Sequence, residues 1–315
     1  MSFPDVSSFV SLGDPSAHPP HFFGLEAIFT ACFAVTIRDV ASRYRAGDRF
    51  ALFQWLVAFV YGIAMELIAF NAFPDYVHGQ FSVELYHRKL PLYVTFVYVV
   101  FHYTSLRLVT RLRLGALAEA AGCGLALVLI DAPFDIAGAA ARWWTWLPSA
   151  HVAARWLGVP LTSYEWYLIF GAALAWLCRV VRPRVEKKSA GAYLLFAPCV
   201  ALGTIALGVV GFLPFHALEA LGLHDAILVG AHVVIAAALV ARARREGQPA
   251  ALPRALASIP IALALWHIAV LAELSKGRGL AAIGVAVAAT LAMLFLFLVD
   301  RGPLRRVEPA ALGVR

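Results

Sequence analysis

The sequence predicts an all-α protein, a polytopic transmembrane helical bundle of about nine spans with its N-terminus outside and its C-terminus cytoplasmic. Apolar runs of membrane-crossing length recur along the whole chain, and all 26 Lys and Arg residues fall in the gaps between them, most in every second gap. A chain that is 62% hydrophobic and only 14% charged, with mean hydropathy +0.78, is excluded from the water-soluble classes.

The runs lie at about 20–37, 50–73, 90–106, 114–134, 161–178, 190–213, 217–241, 255–274 and 279–299, each near the ~17 to 25 residues that cross hydrocarbon. Alternate gaps hold 20 basic residues: Arg38 to Arg49, Arg107 to Arg113, Arg179 to Lys188, Arg242 to Arg254 and Arg301 to Arg315. The other gaps hold 6: Arg88, Lys89, Arg142, Arg155, Lys276 and Arg278. The richer set marks the cytoplasmic side.

No Ser- or Pro-rich linker interrupts the series, so residues 1–315 read as a single integral membrane domain. Residues 1–21 have no basic region and no small-residue cleavage site follows, so the first helix is expected to be retained. The +7 charge suits loops facing anionic headgroups, which makes membrane lipids the expected partners and excludes nucleic acid. The Ala-, Arg- and Leu-rich character suits a bacterial inner (plasma) membrane. Cys32, Cys123, Cys178 and Cys199 lie inside runs with no paired spacing, so they read as small core residues, with no disulfide framework and no zinc site. No metal and no cofactor are expected.

Once the faces are assigned, most acidic residues sort to the outer side: Asp5, Asp14, Glu26, Glu66, Asp75, Glu84, Asp131, Asp135, Glu165, Glu219, Asp225 and Glu273. An ionisable group inside a span costs at least ~2.5 to 3.5 kcal/mol and faces the bundle interior or a water-filled cavity. Glu66, two thirds along the second run, is the clearest case, and a carboxyl at that depth can keep and donate a proton. The fourth run ends in Asp131-Ala-Pro133-Phe-Asp135, which sets two carboxyls at i and i+4 on one face around a proline kink. Two such neighbours share protons. Glu26, Glu219 and Glu273 lie near helix ends, where solvation accounts for them.

The longest outer loop, 136–163, and the residues just after it carry Trp143, Trp144, Trp146, Trp156 and Trp166, five of the eight tryptophans. They read as interfacial anchors or as an aromatic lid over an outer cavity, able to stack on a polyene or face a developing cation. Arg142 and Arg155 are placed to neutralise Asp131 or Asp135. Three runs begin alike, at Leu90-Pro91-Leu92, Val159-Pro160-Leu161 and Leu213-Pro214-Phe215, as suits a first helical turn. Spans two and three resemble spans four and five in plan, which suggests an internal duplication. The ten histidines are scattered and form no di-iron boxes, and His102, His232 and His267 read as hydrogen-bonded interior residues.

Glu66, Asp131 to Asp135, Trp144-Thr-Trp146, Gly158-Val159-Pro160-Leu161 and Tyr164-Glu165-Trp166-Tyr167 together resemble the polytopic carotenoid-biosynthesis membrane proteins of the carotenoid hydratase type. Ser163 and Glu165 depart from that pattern, which usually shows Asn and Gly there, and Asn71 to His78 is foreign to it. The Asp-x-Pro-Phe-Asp-Ile stretch from Asp131 to Ile136, with Trp143-Trp-Thr-Trp146, is also similar to an uncharacterised multi-pass family. The first resemblance implies an enzyme that hydrates an isoprenoid-like lipid. Glu66 would be the acid, Asp131 and Asp135 would position water, Asn71, Glu165 and Trp166 would line the cavity, and Trp144 and Trp146 would contact the chain. The alternatives are a proton- or cation-coupled transporter, a lipid-binding membrane protein, or a membrane scaffold subunit.

Overall fold

A computed structural model describes residues 9–14, 18–73, 75–149, 152–243, 245–275 and 279–298. Asp5, Arg244, Lys276, Arg278, the end of the ninth run and the basic residues from Arg301 to Arg315 lie outside them. Within the described residues the chain forms nine α-helices: α1 (Pro20–Arg45), α2 (Phe50–Ala72), α3 (Leu92–Thr110), α4 (Ala116–Ala141), α5 (Leu161–Val185), α6 (Ala190–Ala220), α7 (Asp225–Arg242), α8 (Arg254–Ser275) and α9 (Leu280–Met293). A π-helical turn, Leu294–Leu298, extends α9. Eight of these, α9 taken together with its π-helical turn, are long and apolar enough to cross a membrane by length and composition. The exception is α5, whose first two turns hold Thr162, Ser163, Tyr164 and Glu165.

The bundle is organised around α4, which packs against α3, α5, α7, α8 and α9. Its apolar window is 94% buried, against 17% for α7, so α4 is the central helix and α7 a peripheral one. Small residues let α5 approach it: Gly171 sits over Gly124, and a Cβ on Gly124 would overlap the Leu168 backbone carbonyl. Helices α2 and α6 pack along each other beside this pair, and α1 closes the other side against α2, α3 and α8.

The structure corrects the expected runs in two places and one cysteine assignment. Helix α4 continues to Ala141, so Asp131 and Asp135 lie inside it and not at its end. Helix α6 runs through Pro198 and Pro214, so Leu213-Pro214-Phe215 is helix interior and only two of the three proline starts begin helices. A proline inside a spanning helix is tolerated where neighbouring helices re-satisfy the freed carbonyls. Cys32, Cys123 and Cys178 are core residues as expected, but Cys199 is exposed on the outer surface of α6.

The loops at one end of the bundle are not irregular, as an all-α reading implies, but carry seven short strands. β1 (Val10–Leu12), β3 (Val83–Leu85) and β4 (Leu90–Pro91) form one small sheet. β2 (Tyr76–His78) pairs antiparallel with β5 (Trp144–Trp146), and β6 (Arg155–Trp156) with β7 (Val159–Pro160). The segments α2–β2–β3–β4–α3 and α4–β5–β6–β7–α5 therefore share one plan. Each ends in a hairpin whose turn uses left-handed residues, Tyr86 to Arg88 in the first and Leu157 with Gly158 in the second. The spacing from Glu66 to Pro91 to Tyr98 also equals that from Asp135 to Pro160 to Tyr167.

Candidate functional site

The site begins with the pairing of β2 and β5. Side chains alternate across a strand, so Tyr76 and His78 share a face with their cross-strand partners Trp146 and Trp144, while Val77 and Thr145 point the other way and are exposed. The four inward residues roof a cavity of about 320 Å³ whose walls come from α2, α3, α4, α5 and α6.

Glu66 on α2 is the most fully bonded polar group in that cavity. The Tyr98 hydroxyl donates to Oε1 at 2.8 Å, the Tyr76 hydroxyl donates to Oε2 at 3.0 Å, and His78 Nε2 lies 3.3 Å from Oε2. Side chains from β2 and from α3 thus meet on one carboxyl group of α2. Gly62, one turn earlier on α2, makes the arrangement feasible, because a Cβ there would overlap the Tyr98 ring that crosses over it. Burial, and after it the Glu66 carboxylate, push the Tyr76 phenol well above its ordinary value, so Tyr76 remains a hydrogen-bond donor.

Across the cavity, Asp135 on α4 accepts a 2.6 Å hydrogen bond from the Ser163 hydroxyl on α5. Asp131 lies one turn before it, fully buried, and neither of its oxygens has a hydrogen-bond partner; Asp135 and Tyr167 are its polar neighbours. Trp144 folds back over α4 against Gly138, where a Cβ would again overlap the ring. Trp166 joins the wall from α5, stacked on Phe170.

Of the residues expected in the site, Glu66, Asp135, Trp144, Trp146 and Trp166 line this cavity, and Asp131 sits behind its wall. Asn71 does not line it: exposed at the end of α2, it bonds the Leu67 carbonyl and the Tyr86 hydroxyl. Glu165 does not either. It points to the far side of α5, fully buried, with its Oε1 2.5 Å from His232 Nδ1 on α7, because successive helical residues face different neighbours. Trp143 and Trp144 are buried, unlike interfacial anchors, whereas Trp156 is half exposed. Arg155 bonds backbone carbonyls of Trp146, Leu147 and Val152, and Arg142 caps α4 in a left-handed conformation, so neither pairs with the aspartates in the described residues. Glu26 accepts from the Ser82 backbone and hydroxyl, a specific tie between α1 and the loop before β3 rather than simple solvation. His102 packs against Tyr61 and Tyr98, while His267 is buried with neither ring nitrogen bonded.

Tyr76, His78, Tyr98, Ser163 and Tyr167 are the site residues that sequence reasoning missed. The alternation of Tyr76 and His78 was a readable strand signal, but its register against Trp144 and Trp146 was not. Among the described residues no group of three or more His, Cys, Asp or Glu side chains could hold a metal ion.

No curated protein and no solved structure matches the chain. Residues 14–265, well over half of the chain and all of the residues that line the cavity, match the family profile described as a domain of unknown function, DUF7802. The chain therefore belongs to the DUF7802 family.

Proposed function

We propose that this protein is a nine-span bacterial inner-membrane enzyme, N-terminus outside, that performs acid–base chemistry on an isoprenoid or similar lipid in its outer cavity. The observation that carries the reading is the pair of carboxyl groups facing one aromatic cavity, Glu66 with Tyr98, Tyr76 and His78 and Asp135 with Ser163. The apolar walls suit a chain, and the carboxyl groups suit proton transfer. The chemistry the sequence resemblance implies is addition of water to a terminal alkene. Glu66 gives its proton to the alkene CH2, the aromatic faces shelter the tertiary cation, and water attacks that carbon. The water's second proton passes to Asp135 and returns to Glu66 by way of Tyr167, Tyr76 and bound water. The net change is one water added across one double bond.

The even alternation of basic gaps supports this topology, with α5 counted as a span despite its polar first turns. A carrier is the second reading, favoured by the shared plan of α2–α3 and α4–α5, since parallel repeats with a site between them recur in transporters. Against it, the inner ends of these helices are tied by Arg107 to Gln54 and Asp48 and by Arg179 to Glu119 and Glu246.

The test is expression in a lycopene-accumulating bacterium, with mass spectrometry of lipid and pigment extracts. A product heavier by one water, lost in Glu66→Gln at normal protein level, is the expected result. Full product yield from that variant would remove Glu66 as the acid. An unchanged pigment profile from folded wild-type protein would remove the hydratase reading, and uptake into proteoliposomes under a pH gradient would then favour the carrier.

A further inference from the structure

The cavity's lining has a chemical bias that neither water addition nor transport by itself requires. Its aromatic surfaces include Tyr76, Tyr98, Phe134, Trp144, Trp146 and Trp166. Its carboxyl groups are Glu66, Asp75 and Asp135, with the unpartnered Asp131 behind Asp135. Among the described residues no Lys or Arg lines it; the basic side chains that do are His78, held on Glu66, and His216, held on Glu219. Aromatic faces carry negative charge density, and a cation set over them is attracted most strongly in a site from which water is excluded. Together with carboxyl groups that have no arginine or lysine to satisfy them, such a lining discriminates charge from neutrality.

Size and access narrow the ligand further. About 320 Å³ is at the low end of the ~300 to 1,000 Å³ of small-molecule sites, enough for a trialkylammonium head and part of one chain. The cavity's edge between α2 and α6 is apolar and open, with Phe73 51%, Val209 53% and Leu213 57% exposed. One alkyl chain can leave there towards the surrounding lipid, whereas the roof of β2 and β5 closes the top.

We infer that the cavity binds single-chain organic cations, with the positive head caged by the aromatic residues against Asp135 and Glu66 and the chain lying between α2 and α6. The inference rests on the same cavity as the proposed function but not on its reaction. The positive centre has two sources: a carbocation that forms on a bound alkene, which an ammonium imitates, or an amine or quaternary ammonium compound that is itself the substrate or cargo.

Isothermal titration of the full chain in lipid nanodiscs with octyltrimethylammonium, and with 2,2-dimethyldecane as its neutral carbon isostere, tests this. The cation is expected to bind about tenfold tighter or more, and Asp135→Asn to remove most of that preference. Should Asp135→Asn fail to fold, Trp146→Leu on the roof is expected to weaken the cation several-fold and the isostere far less. Equal binding of the two compounds, or an undiminished preference in both folded variants, overturns the inference. Cation binding that also blocks hydration assigns the charge to the reaction. Uptake of the cation into vesicles assigns it to the cargo. Hydration with no preference for the cation sinks this inference alone, while cation binding without hydration sinks the reaction and leaves the inference standing.

Discussion

Two segments of the molecule, α2–α3 and α4–α5, carry the same spacing of carboxyl group, proline and tyrosine yet bond their carboxyl groups differently. In the first, Glu66 is met by Tyr98, Tyr76 and His78. In the second, Asp135 has Ser163 alone and Asp131 has nothing, although Tyr167 occupies the place that Tyr98 holds in the first. Gly62 explains part of the difference, since it opens the path for Tyr98 to reach Glu66, and the position of equivalent spacing in α4 is Asp131 itself. One half is a closed hydrogen-bond node, and the other has acceptor capacity left for a ligand or water.

Removing the closed node should cost most. Glu66→Leu leaves the Tyr76 and Tyr98 hydroxyls without their acceptor and His78 without its partner, and is expected to lower unfolding stability by on the order of 3 kcal/mol, measured by thermal or denaturant unfolding in micelles. Next comes Gly62→Val, which drives the Tyr98 ring off Glu66 at about 2 kcal/mol by the same measurement. A stability unchanged within error in either would mean that the node is not a structural unit. Tyr98→Phe should cost about 1 kcal/mol, the net worth of one hydrogen bond, whereas Tyr167→Phe should cost distinctly less and be felt in ligand binding instead. Equal losses would erase the contrast between the two halves.

The smallest effect concerns the sheet of β1, β3 and β4. Burial raises the Glu84 carboxyl, against the pull of the Phe81 amide and Arg88, so the folded state binds that proton more tightly than the unfolded chain. Its contribution is therefore greatest in acid and falls as pH rises from the ordinary carboxylate range through the raised value. The melting temperature of the wild type should decline slightly across that window relative to Glu84→Gln. Parallel profiles for the two proteins would show that Glu84 has no such role.

Much of the site was legible because the cost of burying a carboxyl group in an apolar run singles out Glu66, Asp131 and Asp135 without any partner being known. Glu165 and Asn71 misled for opposite reasons. Glu165 meets the same cost but discharges it on His232 of α7, and Asn71 lies at a helix end where no cost arises. The aromatic loop stands out in the sequence, yet whether its tryptophans anchor or roof depends on burial, and Trp144 turns inward only because Gly138 leaves room for its ring.

The sequence by itself determined where the chain is apolar enough to form membrane-length helices and which buried positions carry acid, since hydropathy and burial cost add residue by residue along a local stretch. It also contained the repeated carboxyl–proline–tyrosine spacing. Only the tertiary structure decided that Tyr76 and His78 pair with Trp146 and Trp144, that Tyr76, His78 and Tyr98 meet on Glu66, and that Asp131 is left without a hydrogen bond. Those outcomes depend on contacts between distant segments, and a one-residue slip in the β2–β5 register would turn every roof residue to the opposite face.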